Sequence, residues 1–196
     1  MTVRMAQLLS MVFVAAAAAA CATAPSRFYT LDATATHGDA PPAPYAVLVG
    51  PVSVPASVDR PEFVVQVAPN RVEVDEFNRW AAPLGDAIAR VVAGDLAALL
   101  GTPDVAVAPM ANFRHAYRVT LDVQRFDSAP GDSVLVEAVW TVHATATGGT
   151  RSGRTVAREA AQGQGFDALA AAHSRALAQV SGDIAAAIRA TPATAR

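Results

Sequence analysis

Lysine is absent from this 196-residue chain, whose 15 basic residues are all arginine. Every chemistry that needs an ε-amino group is therefore excluded, including a phosphate-loop lysine, a Schiff base and a Ser/Lys dyad. Cysteine occurs once, at Cys21, so no disulfide can form within a monomer and no cysteine pair can hold zinc. Charged residues are only 16% of the chain, and the net charge of −2 argues against nucleic acid as a partner. His37, His115, His143 and His173 fall on separate segments, with no H-E-x-x-H run, and Gly149-Thr150-Arg151-Ser152-Gly153 puts serine in the wrong place for G-x-S-x-G. Residues 163–168 do fit G-x-G-x-x-A, but the 28 residues after Ala168 read as helix. A second parallel strand carrying a ribose-binding acid is then missing, and these glycines are read as a helix entry. An enzyme is the class least expected, with no metal site and no cofactor.

What the chain does contain is apolar residues, 53% of it, enough for one domain with a full core. Residues 1–20 read as a lipoprotein signal peptide, with Arg4 as the positive start and residues 8–20 as an uncharged apolar stretch. Such a stretch is too short to span a bilayer, which takes about 20 apolar residues. Cys21, preceded by Ala18-Ala19-Ala20, resembles the lipobox of bacterial lipoproteins. That resemblance implies cleavage before Cys21 and acylation of its thiol and new amino group, palmitate included. Several acyl chains make attachment to a membrane effectively permanent, so the protein is anchored without crossing. The other reading is a plain A-x-A secretory cleavage site with a stray thiol. Ala22, in place of the aspartate associated with inner-membrane retention, implies sorting to the periplasmic face of the outer membrane.

The mature chain reads as a lipidated N-terminus with a short strand and loop (21–44), a single domain (45–190) and a frayed tail (191–196). Residues 27–31 form an early strand and 32–44 an exposed loop. Residues 45–54 form a strand that Pro51 should keep short or at an edge. Residues 63–68 and 71–77 flank Pro69-Asn70 as a hairpin, in which Val72 and Val74 alternate with Arg71, Glu73 and Asp75 to give one dry and one wet face. Pro83 opens a helix running to Leu100, with Leu84, Ile88, Val92, Leu96 and Leu99/Leu100 on its apolar stripe, Asp86, Arg90 and Asp95 off it, and Gly101 closing it. A short strand at 105–109 precedes an antiparallel meander over 116–126, 134–144 and 150–161. A second amphipathic helix covers 166–190, with His173 on its stripe as a core histidine. The expected fold is α+β, a mainly antiparallel sheet with two amphipathic helices packed on one face.

Two clusters carry a further resemblance: Asp59-Arg60-Pro61, and about 20 residues later Arg79-Trp80-Ala81-Ala82-Pro83-Leu84 at a helix entry. With Phe28-Tyr29-Thr30-Leu31 after the cysteine, they resemble the auxiliary lipoprotein family of ABC-type transport systems, the PqiC-like group. The resemblance implies a non-catalytic, self-associating accessory or docking subunit that works with an MCE-domain periplasmic protein and inner-membrane transport components to move lipid and keep the envelope intact. The alternative is a lipoprotein partner of an outer-membrane barrel, as in lipopolysaccharide export. Asp59, Arg60, Arg79 and Trp80 are the candidate partner-binding residues, since tryptophan and arginine dominate interface hot spots. Each has a structural reading beside it: Trp80 as a staple over Leu84, Arg79 paired with Glu76 or Asp75, and Asp59-Arg60 in a turn locked by Pro61.

Overall fold

A computed structural model describes residues 25–191 apart from Asp39 and Pro44, so the leader, Cys21 and the tail beyond Thr191 lie outside the described residues. The elements run β1 (Arg27–Tyr29), β2 (Val47–Ser53), β3 (Glu62–Ala68), β4 (Arg71–Trp80), α1 (Leu84–Leu100), β5 (Val105–Val107), β6 (Tyr117–Ala129), β7 (Ser133–Ala144), β8 (Thr150–Ala160) and α2 (Phe166–Ala190). They build a five-stranded sheet, ordered β5-β2-β6-β7-β8, and a three-stranded sheet, ordered β1-β4-β3.

The helices form where the apolar residues recur at helical spacing. Pro83 precedes α1 and Gly101 closes it, and Leu84, Ile88, Val92, Leu96 and Leu100 are buried. On α2, Leu169, His173, Leu177, Val180, Ile184 and Ile188 are buried. Helix α1 covers β2 and β5, α2 covers β7 and β8, and the two helices pack on each other, so both lie on one face of the larger sheet. Strands β6 and β7 supply that face through Val119, Leu121, Val123, Val136, Ala138 and Val142. Their other face is polar, with the Arg154–Glu137 ion pair and the Thr141–Ser152 hydrogen bond lacing neighbouring strands. Gly153 sits opposite Trp140 in the β7–β8 ladder, where a Cβ would lie 2.3 Å from a ring carbon of the indole. The glycine therefore makes room for the ring, whose Nε1 donates to Thr155 Oγ1 at 3.0 Å, while that hydroxyl donates to Asp183 of α2 at 2.6 Å.

The fold is α+β with antiparallel pairing predominant, as expected, but it departs from the sequence reading in several places. There are two sheets instead of one, and the β1–β4, β2–β5 and β2–β6 ladders are parallel. After Ser53 the chain turns through a segment in which the Val58 and Asp59 amides both donate to the Pro55 carbonyl, and the following hairpin pairs with β1. Strand β2 is central, not an edge. Pro51 is tolerated because β5 ends its pairing at Val49 and the β6 ladder is irregular between Val49 and Val52, so the missing N–H costs no ladder bond. Val72 and Val74, expected on a dry face, are 57% and 41% exposed, because the outer half of the hairpin meets β6 only across an open cleft.

Asp95, expected off the apolar stripe, is fully buried. Thr191, expected to fray, is held by its hydroxyl donating to the Ala187 carbonyl at 2.8 Å and by the Tyr117 hydroxyl donating to its own carbonyl.

Candidate functional site

The two signature clusters meet at one corner of the three-stranded sheet. Parallel pairing sets Phe28 beside Arg79 and Tyr29 beside Trp80, while β3 places Glu62 across from Arg79. The Trp80 amide donates to the Pro61 carbonyl at 2.7 Å, so Asp59-Arg60-Pro61 and Arg79-Trp80 are backbone neighbours in the fold. Glu62 stands between the arginines: Arg79 makes a hydrogen-bonded ion pair with it, and Arg60 Nε approaches its other oxygen at 3.7 Å. Its own backbone amide and the Arg79 guanidinium hold the Glu62 carboxyl below the usual carboxylate range. Arg79 thus pairs across strands, not with Asp75 or Glu76. Asp75 instead accepts the Phe77 and Asn78 amides at 3.0 and 2.9 Å, closing the irregular stretch of β4. Asp59 and Arg60 are exposed, Arg79 is half-buried, and Trp80 is buried at 6%.

Beneath this corner lies an aromatic cluster that joins three layers. Trp80 stacks on Phe63 with centroids 4.1 Å apart, and Phe63 meets Tyr29 and Phe166 edge-on at 5.7 and 5.1 Å. Phe126 of β6 meets Trp80 edge-on at 6.0 Å and stacks on His173 of α2 at 3.8 Å. The ring of Trp80 therefore packs on Phe63 and Phe126, and the solvent-facing part of the corner is Asp59, Arg60 and the Arg79–Glu62 pair above it.

His173 and Ser128 form the one nucleophile–imidazole pair that the described core offers, with Ser128 Oγ 2.8 Å from His173 Nε2. A serine nucleophile needs the far imidazole nitrogen held by a carboxylate or carbonyl, and His173 Nδ1 has no partner among the described residues. Burial pushes the imidazole down to about 3, so it stays neutral at physiological pH. With Nδ1 unpaired, the satisfied arrangement has Nε2–H donating to Ser128, which is the opposite of base activation. Both residues are enclosed, at 0% and 2% exposure.

A third feature was not visible as a site in the sequence. The described residues of segment 32–42 are exposed apart from half-buried Ala35, but the segment is strapped across the helix pair. Asp95 Oδ1 accepts the Thr34 and Ala35 amides, each at 2.9 Å, and Oδ2 meets Ser181 Oγ at 3.1 Å. Ser174 Oγ accepts the Asp32 amide, the Ala43 amide donates to the Leu100 carbonyl, and Arg189 donates to the Pro41 carbonyl. Gly94, a poor residue for a helix interior, is explained by the same strap, because a Cβ there would lie 2.8 Å from Ala33 Cβ. Burial raises the Asp95 carboxyl above its ordinary value, against the opposing hydrogen bonds from Ala35, Ser181 and Thr34. The signal for this residue was its spacing, since 88, 92 and 95 fall on one side of a helix.

Among the described residues, no three His, Cys, Asp or Glu side chains come together as a metal site, and no helix is long and apolar enough to cross a membrane. A cleft of about 240 Å³ lies between the hairpin and β6, lined by Val58, Val64, Gln66, Val72, Arg125 and Asp127. It is smaller than the ~300–1,000 Å³ usual for a small-molecule site.

The sequence model of a family described as "ABC-type transport auxiliary lipoprotein component" matches residues 29–185. No curated protein matches the chain. Among solved structures, an uncharacterized protein superposes with a TM-score of 0.67 at 21% identity, covering 84% of this chain and 99% of its own. A protein from Xanthomonas campestris superposes with a TM-score of 0.65 at 22% identity, covering 81% of this chain and 92% of its own. At these identities the two structures establish the shared fold.

Proposed function

The chain belongs to the family of ABC-type transport auxiliary lipoprotein components, and from that premise we propose that it is a non-catalytic docking subunit of an MCE-linked lipid transport system. Acylated Cys21 anchors it to the periplasmic face of the outer membrane, where it receives an MCE-domain protein coupled to inner-membrane components. The observation that carries this reading is the family match, which runs from β1 into α2 and takes in both halves of the signature corner. The corner supplies the docking surface: exposed Asp59 and Arg60 with the Arg79–Glu62 pair at the rim, and Trp80 supporting them from below. The closed interior supports a binding role over a catalytic one, since the Ser128–His173 pair lacks both access and an orienting group.

Crosslinking in cells followed by mild detergent extraction is expected to recover the protein with an MCE-domain partner. Asp59→Ala combined with Arg60→Ala should weaken that capture while leaving the melting temperature within about 4 °C, because each surface substitution stays within about 0.5 kcal/mol. Recovery with an outer-membrane barrel alone would favour the barrel-partner reading, and capture unaffected by the double substitution would move the docking surface elsewhere.

A further inference from the structure

Eight large hydrophobic side chains are exposed among the described residues, and five of them, Phe28, Val67, Val72, Val74 and Phe77, belong to the small three-stranded sheet. Phe28, the most exposed at 65%, pairs with Arg79 in register, on the side of the sheet away from Tyr29 and Trp80. Phe77 lies in the irregular stretch of β4 and is 39% exposed. The β3–β4 register puts Val72 and Val74 on the face of Val64 and Gln66 and Val67 on the other, so both faces of the outer hairpin carry exposed apolar side chains. Such exposure marks a contact surface, and the direction of the chain says what it touches. Because β1 runs parallel to β4, the chain enters β1 from the side on which the β3–β4 turn at Pro69-Asn70 projects. Arg27 follows Cys21 by six positions, with five residues between them, a reach of at most about 20 Å. That is half the width of a domain of this size, about 40 Å across by the usual scaling. A leash that short cannot let the anchored molecule present its opposite side to the bilayer.

We propose that in the anchored protein the β3–β4 hairpin and Phe28 rest on the lipid headgroup layer of the membrane that holds Cys21. This rests on the lipid-anchor reading above. The lipid is zwitterionic, because the hairpin carries Glu73, Asp75 and Glu76 against Arg71, and the nearby Arg79 is already paired with Glu62. The acyl chains supply the affinity and the hairpin sets the orientation, holding the Asp59–Arg60 corner beside the bilayer for a partner arriving from the periplasm.

The chain has no cysteine besides Cys21, so Phe28→Cys, Val72→Cys and Ala146→Cys each give one labelling site in the acylated full-length protein. Ala146 lies in the β7–β8 turn, at the far end of the larger sheet from Phe126. The protein is reconstituted in phosphatidylethanolamine/phosphatidylcholine vesicles containing lipids with a nitroxide near the headgroup, and the mass of the Cys21 peptide is measured in parallel. Labels at positions 28 and 72 are expected to be quenched several-fold more strongly than the label at 146. Equal quenching at all three positions on acylated protein overturns the inference alone. So does a label at 28 or 72 that is shielded from water but not quenched by lipid, which would mean that a second copy or a protein partner covers the hairpin. An unmodified Cys21 thiol overturns the anchor reading and this inference with it.

Discussion

The two ends of the three-stranded sheet both carry large apolar side chains and meet opposite fates. At one end Tyr29, Phe63 and Trp80 are buried, and at the other Val67, Val72 and Val74 stand in solvent. At the packed end apolar residues are consecutive, as in Phe28-Tyr29 and Phe63-Val64-Val65, whereas at the open end Val72 and Val74 alternate with Arg71, Glu73 and Asp75, and alternation specifies only that a strand has two different faces. Burial needs a second element laid over the apolar face. Phe126 from β6 and Phe166 and His173 from α2 converge on the Trp80 end. The hairpin end reaches past them, leaving a cleft on one side and nothing on the other. The packed end holds the two sheets and α2 together; the open end is available for contact.

The comparison breaks most visibly at Trp80. Trp80→Ala should cost about 3–5 kcal/mol, because the stacked partner Phe63 and the edge-on partners from β6 and α2 all lose their contact at once. A thermal or urea melt checks this, and a loss under about 1 kcal/mol would mean that the aromatic cluster is not what joins the layers. A smaller effect comes from pH. His173 has a folded pKa near 3 against an ordinary 6.5, so the folded state binds fewer protons than the unfolded one in between. Its contribution is complete above about pH 6.5 and is lost as pH falls toward 3. Between pH 7 and pH 5, above the range where ordinary carboxylates titrate, stability should fall by about 2 kcal/mol. His173→Gln should flatten that slope. A slope unchanged by the substitution would assign the acid sensitivity to other groups.

The helices, the meander and both signature clusters could be read from the chain because their signals are local: helical spacing ended by Pro83 and Gly101, period-two alternation, and turns at Pro130-Gly131 and Gly148-Gly149. What was misread depends on partners far away in sequence. Sequence proximity points Arg79 to Asp75 or Glu76, but its partner Glu62 lies 17 residues back and is brought opposite by the β3–β4 register. The charge of Asp95 argues for the wet side, since carboxylates are seldom buried, while its spacing puts it on the stripe. The amides that receive it come from 60 and 61 residues upstream, on a strap whose course no local rule specifies. The two signature clusters could be recognised together, but the reason for their pairing, the Pro61 carbonyl accepting the Trp80 amide, appears only once the strands are in register.

The smallest expected effect is the sharpest test of the open end. Val72→Thr and Val74→Thr keep β-branching and volume while adding a hydroxyl, which is costly in a core and nearly neutral in water. Because these valines are 57% and 41% exposed, each substitution should change stability by less than about 0.5 kcal/mol in the isolated protein. A loss above about 1 kcal/mol for either would show that the hairpin closes over a face in solution and that the two ends of the sheet are packed alike. If stability holds but the acylated protein bearing both substitutions loses its fixed orientation on vesicles, the hydroxyls are acting at the contact surface and not within the fold.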